Sequence, residues 1–114
     1  MNTYLLIAVG VVFALYLARQ IKAVMNRIPG EEARKLVQEG ALLLDVRSPA
    51  EYGSGHIDGA RNIPITTLRN ELGGLPKDRP IVVYCASGMR SYTAHTMLRA
   101  SGYDVRDLGP QSAW

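Results

Sequence analysis

The sequence has a single cysteine among its 114 residues, two histidines, and no acidic side chain before Glu31. One cysteine excludes an internal disulfide framework and a cysteine-rich zinc cluster. Together with two histidines it gives no metal-ligand spacing either. There is no repeat and no low-complexity tract, and with 47% hydrophobic residues the chain is too apolar for disorder. The length leaves room for one small domain and excludes a multidomain enzyme.

The acids that are missing from the start of the chain decide how its charge is read. The formal net charge is +3 and the pI about 9.2. Arg19, Lys22 and Arg27 supply that excess, because residues 31–114 carry 10 cations and 10 acids. A nucleic-acid binder would need a basic face on its folded domain, and the neutral 31–114 segment gives no support for one.

The hydrophobic residues are divided as unevenly. Residues 1–18 contain no charged side chain, and 15 of the 18 are hydrophobic. Tyr4 to Ala18 can be lengthened through Asn2, Thr3 and Ile21 to the roughly 17–25 residues that cross a bilayer. Arg19 would snorkel to the headgroups, and Tyr4 and Tyr16 lie near the two ends, where aromatic belts form. A cleaved signal peptide would begin with basic residues, which Met-Asn-Thr lacks, and cleavage after Ala18 would put Tyr16 where a small residue is wanted. A buried helix apolar on all sides would need a larger protein around it. The expectation is therefore a transmembrane anchor over residues 1–22, a basic juxtamembrane linker over 23–30 and a folded domain over 31–114. All three surplus cations follow the apolar run, so the positive-inside rule puts the C-terminal domain in the cytoplasm.

Beyond the linker the chain alternates between two periods. Glu31 to Glu39 reads as a short helix with acids in its first turn and Gly40 as its cap. Ala41 to Val46 is an apolar run, as in a strand buried on both faces. Pro49, Gly53, Gly55 and Gly59 punctuate a loop region. Ile63-Pro64-Ile65 is extended, Thr66 to Leu72 can be helical, and Gly73 to Pro80 turns. Ile81 to Tyr84 is the strongest strand signal, Ser91 to Ala100 a helix, and Tyr103 to Leu108 a last strand. This pattern implies an α/β domain with a central, mainly parallel sheet flanked by helices.

Cys85 falls directly after the strongest strand and before a helix, where parallel sheets hold ligands. The intervening Ala86, Ser87, Gly88, Met89 and Arg90, followed by Ser91, would turn several backbone N–H groups into one concavity. Such a concavity attracts an anion and would stabilise a thiolate. Gly88 gives the loop its conformational freedom. Arg90 can add a fixed charge and a fork of donors for an oxyanion, and Ser87 and Ser91 can donate further hydrogen bonds. A buried structural thiol is the alternative reading of Cys85.

These residues resemble a known family. Leu44-Asp45-Val46-Arg47 with Glu51-Tyr52, Gly55-His56-Ile57, Gly59-Ala60-Arg61-Asn62-Ile63-Pro64 and Tyr84-Cys85-Ala86-Ser87-Gly88-Met89-Arg90-Ser91 are similar to the motifs of the rhodanese domain. Gly102-Tyr103, Val105, Leu108-Gly109 and Trp114 fit the same pattern. The resemblance runs from about Ile28 to the end. It implies a small α/β domain in which Cys85 carries sulfur and Ala86 to Arg90 complete its cradle. It also implies a two-step transfer from a small anionic donor such as thiosulfate to a thiol acceptor, or to cyanide in vitro, with no cofactor and no metal. Related phosphatases and arsenate reductases place five residues between Cys and Arg. The four found here imply a cradle too small for phosphate. A membrane-tethered interaction module with little activity is the alternative from another class.

Among the remaining polar residues, Asp45, Arg47 and Glu51 suggest an ion-pair and loop-bracing set, and the resemblance gives His56 a role in loop structure. His95, one turn after Ser91, reads as a packed side chain rather than a base. Met89 and Tyr92 are candidates for the site mouth, and Arg61 and Arg69 for attracting an anionic donor. The chain departs from the family pattern at Pro110, where a second glycine is common, and at Trp114, beyond which most members continue. Those departures lead one to expect a rim that is partly open or completed by a partner, and low intrinsic activity.

Overall fold

A computed structural model describes residues 2–114. Five helices and four strands follow one another as α1 (Thr3–Met25), α2 (Gly30–Gln38), β1 (Leu42–Asp45), α3 (Pro49–Gly53), β2 (Arg61–Asn62), α4 (Ile65–Leu68), β3 (Ile81–Cys85), α5 (Met89–Ala100) and β4 (Val105–Pro110). Two 3-10 turns, Arg69–Gly74 and Gln111–Ala113, complete the chain.

The strands form one sheet in the order β2-β1-β3-β4, and every pairing is parallel. The chain runs outward from β1 to β2, then returns to place β3 on the other side of β1. The carboxyl ends of β1 and β3 therefore flank a topological switch point, where crevices form in open α/β sheets. Asp45 is in register with Tyr84 there, one residue before Cys85.

The strand period of two divides the core into two layers. Leu44, Val46, Ile81, Val83, Cys85 and Val105 face Leu68, Ala94 and Leu98. Leu43, Val82, Tyr84 and Leu108 face Ala33 of α2 with Ile57, and Trp114 packs against that layer. Cys85 belongs to the first layer because it shares parity with Ile81 and Val83, so its side chain points to the α5 side.

Several element boundaries differ from those expected from the sequence. The helical period continues through Ile21 and Met25, so the proposed linker over 23–30 is helical for its first three residues. Only Asn26 to Pro29 joins α1 to α2. The region over 49–59, expected as loop, begins with α3, since Ser48 and Glu51 form a reciprocal capping box and Pro49 occupies the first turn. The extended pairing falls on Arg61–Asn62 rather than on 63–65. The helix expected over 66–72 is one α-turn from Ile65 followed by a 3-10 turn.

α1 is unlike every other element. Among the described residues, all exposed large hydrophobic side chains lie on it, from Tyr4 to Met25. Its 23 residues rise about 35 Å at 1.5 Å each, against a hydrocarbon core of about 30 Å. By length and composition it could cross a membrane. Its last turns touch the domain. Ala23 is fully buried, Arg19 donates to Thr93 Oγ1 at 3.1 Å and lies 5.1 Å from the Tyr92 ring centroid, and the Asn26 amide is 3.3 Å from His95 Nδ1.

Candidate active site

β3 delivers Cys85 to the switch point, and the next three residues turn back so that α5 starts at Met89. Gly88 caps α5 with φ of 100°, in the left-handed region that glycine adopts without strain. This conformation aims two backbone donors at one sulfur. Gly88 N–H donates to Cys85 Sγ at 3.0 Å and Ser91 N–H at 3.3 Å. Sγ thus sits at the amino end of a 12-residue helix, where N–H groups and the helix dipole both favour negative charge. Cys85, Gly88 and Ser91 are buried, Met89 and Arg90 half-buried, and Ala86 and Ser87 exposed. The Ser91 hydroxyl donates to the Gly88 carbonyl at 3.0 Å and closes the loop from within.

The three residues read as one bracing set divide into two structures. Asp45 and Arg47 form a buried fork at the end of β1. Arg47 Nη2 donates to Asp45 Oδ2 at 2.8 Å, and Nε lies 3.1 Å from both carboxylate oxygens. Arg47 Nη2 also donates to the Gly55 carbonyl at 2.7 Å, and the Asn62 amide donates to the Asp45 and Arg47 carbonyls at 2.9 Å each. One fork thereby ties β1, β2 and the turn at Gly55. The Asp45 carboxylate raises the Arg47 pKa, against the opposing effect of burial.

Glu51 leaves that pair and bridges to the cysteine loop. It accepts from Arg90 Nη1 at 2.6 Å and Nη2 at 2.9 Å while its Oε1 also accepts from Ser48 N–H. Arg90, and then the Ser48 backbone, hold the Glu51 carboxyl down at about 2. Glu51 in turn raises the Arg90 pKa. The donor fork expected to serve an oxyanion is therefore occupied by Glu51, and both side chains remain 36% exposed. A cleft of about 510 Å³ lined by Arg47, Ala50, Glu51, Ser54, Gly55 and Gln111 opens beside this pair.

His56 stacks on Tyr52 with ring centroids 3.7 Å apart. His95 is buried, and burial, then Arg99, lowers its pKa. Tyr92, expected at the mouth, is instead buried beneath Arg19 of α1, because α1 covers that side of α5. Arg61 and Arg69 are exposed on the surface.

Two residues that sequence reasoning passed over lie against the loop. Asp107 is fully buried on β4 and accepts from Gly109 N–H at 2.9 Å, while its Oδ2 has no partner. Burial raises its pKa, with the neighbouring Ser91 hydroxyl, Gly109 and Arg27 opposing. Arg27, read only as a topology charge, reaches the loop and donates to the Ser87 carbonyl at 3.4 Å. No local pattern marks either one, because the bulge that brings β4 beside the loop arises only when the sheet forms.

A fully parallel α/β domain with a lone cysteine at the carboxyl end of a central strand, its sulfur held by loop amides, defines a class of small thiol-bearing domains. Within that class the chain matches the Rhodanese-like domain family over residues 30–109. It belongs to the rhodanese-like sulfurtransferase family. A sulfurtransferase of Allochromatium vinosum is 43% identical over 65 residues, covering 57% of this chain and 61% of that protein. The thiosulfate sulfurtransferase GlpE of Pseudomonas paraeruginosa is 36% identical over 84 residues, 73% of this chain and 76% of the relative. The structure of the human single-domain sulfurtransferase TSTD1 is similar at 29% identity and a TM-score of 0.64, covering 78% of this chain and 91% of that one.

Proposed function

We propose that the protein is a membrane-anchored sulfurtransferase in which Cys85 carries the sulfur. The observation that carries this reading is the pair of N–H groups on Cys85 Sγ, from Gly88 at 3.0 Å and Ser91 at 3.3 Å. Two N–H donors aimed at one sulfur complement the negative charge that the attacking and persulfide sulfur carry during transfer. The thiosulfate-named relatives suggest the donor.

In the first step the Cys85 thiolate attacks the outer sulfur of thiosulfate. A new S–S bond forms, the old one breaks, and its electron pair leaves with sulfite. Cys85 becomes a persulfide anion, and no proton, oxidant or cofactor is consumed. In the second step an acceptor thiolate, or cyanide in vitro, attacks the outer persulfide sulfur and Cys85 leaves as thiolate. Ala86 and Ser87 are exposed beside the sulfur, and their backbone N–H groups would serve the incoming and leaving anions. Arg90 orders the loop through Glu51. Asp45, Arg47 and His56 support the surrounding turns.

α1 supports the anchoring, since its exposed apolar side chains would be shielded by lipid. Residues 1–22 form the anchor, 31–114 the rhodanese-like domain, and the cations that follow the apolar run put that domain in the cytoplasm.

The test is incubation of the full chain, in detergent, with thiosulfate followed by intact-mass measurement. Gain of one sulfur atom, lost in Cys85→Ser, is the expected outcome. A folded wild-type protein that takes up no sulfur would overturn the reading and favour a tethered interaction module.

A further inference from the structure

We propose that Arg27, in the segment joining α1 to the domain, is a positioning residue for the Cys85 loop. The proposal rests on the reading of Cys85 as the nucleophile. Its basis is a slot in which two glycines leave room for one arginine side chain.

The backbone brings Arg27 to the loop by fixed contacts. Arg19, Ala23 and Asn26 dock the last turns of α1 on α5, and Ile28 N–H donates to the Asp107 carbonyl at 2.8 Å, against the edge of β4. Between these ties the Arg27 side chain crosses Gly109 and then Gly88. A Cβ built on Gly109 would stand 2.6 Å from Arg27 Cδ and Nε, and one built on Gly88 would collide with the guanidinium. Both glycines have positive φ, 87° and 100°. The slot therefore exists only because neither residue carries a side chain.

Within the slot the guanidinium lies against the residue whose N–H donates to Cys85 Sγ, and it also meets the Ser87 carbonyl. Arg27 Nε is buried without a hydrogen-bond partner, as is Asp107 Oδ2. Both residues touch Gly109: its N–H is held by the other Asp107 oxygen, and the Arg27 side chain packs where its Cβ would stand. A buried donor and a buried acceptor, each left unpaired, cost stability. An arginine whose role was only surface solubility or lipid contact would lie in water instead. Here it presses on the loop from behind, so that Gly88 keeps the left-handed conformation that directs its N–H at the sulfur. The segment that ends the membrane helix thereby sets the geometry of the thiol.

The experiment uses the full chain in detergent, with Arg27→Gln and Arg27→Lys. Cys85 is alkylated with neutral iodoacetamide and, separately, with anionic iodoacetate, and thiosulfate turnover is followed in parallel. Positioning predicts that Arg27→Gln slows both reagents by a similar factor, roughly tenfold. It also predicts that kcat for thiosulfate falls with KM little changed, and that Arg27→Lys recovers part of the rate. Slowing of iodoacetate alone would mean simple anion attraction and overturns the proposal. So does an unchanged alkylation rate, whether or not the thermal midpoint falls. If Arg27→Gln does not fold, Arg27→Lys carries the test, since it should fall between full and lost reactivity, and wild-type reactivity in it overturns the proposal. Failure of wild type to accept sulfur from thiosulfate would instead strike the sulfurtransferase reading, and the alkylation rates would still report the loop.

Discussion

β3 and α1 are built from the same kinds of side chain and stand in opposite surroundings. Ile81, Val82, Val83, Tyr84 and Cys85 are all buried, each matched by a residue of the two flanking layers. Leu5, Ile7, Val9, Val12, Phe13 and Leu15 on α1 are all more than half exposed, with no protein layer beside them. Apolar content alone does not distinguish a core strand from a helix long enough to cross a membrane. Length does, since five residues are completed by one domain's layers and 23 residues are not. α1 reaches the domain at its last turns, on α5 rather than β3, where Ala23 is buried and Arg19 lies over Tyr92.

The largest effect that would break this contrast concerns α1 as a whole. Deletion of residues 2–18, which keeps Arg19 and Arg27, should move the chain from the membrane pellet to the soluble fraction with the domain still folded by circular dichroism. In sealed inside-out vesicles, the intact chain should lose its domain to added protease. Protection of the domain there would reverse the orientation. An unfolded deletion product would mean that the apolar face of α1 belongs to the domain's own core.

A second comparison lies inside the domain, between its two arginine–carboxylate forks. Asp45 is fully buried and Arg47 8% exposed. Asp45→Asn leaves the Arg47 charge without its counter-ion and should cost about 3–5 kcal/mol in chemical denaturation. A loss below 1 kcal/mol would show that water reaches Arg47 and that the fork does not hold β1 to the Gly55 turn.

The Glu51–Arg90 fork should contribute less, because both partners are one-third exposed and solvent screens them. Its signature is in pH. The Glu51 carboxyl is lowered to about 2 from an ordinary 4.5, so a lowered acid contributes stability above the unfolded value and loses it as pH falls. Wild type should exceed Glu51→Gln by a constant margin from pH 5 to 7, and the margin should shrink between about 4.5 and 2. A margin independent of pH across that window would mean that Glu51 acts through its helix cap alone.

Much of the site could be read from the linear chain because its parts are contiguous. Cys85 to Ser91 is a single strand–loop–helix passage, and the left-handed turn at Gly88 is what a glycine at that place permits. α3 was not legible in the sequence despite Ser48, Pro49 and Glu51, because the surrounding glycines suggest loop and a five-residue helix leaves no periodicity. The partnership of Glu51 with Arg90 was not legible. The two lie 39 residues apart, and nothing local separates that pairing from one with Arg47.

By itself the sequence determined the apolar N-terminal segment, the excess of cations beside it, the alternation of strands and helices, and a lone cysteine at a strand end. These follow from composition and from periods of two and 3.6, which act over a few residues at a time. Only the tertiary structure decided which charges meet. Parallel pairing put β1 beside β3 and carried Asp107 behind the loop. Docking of α1 on α5 then brought Arg27 against Gly88 and Gly109. Such meetings depend on the directions in which distant segments approach one another, and packing sets those directions.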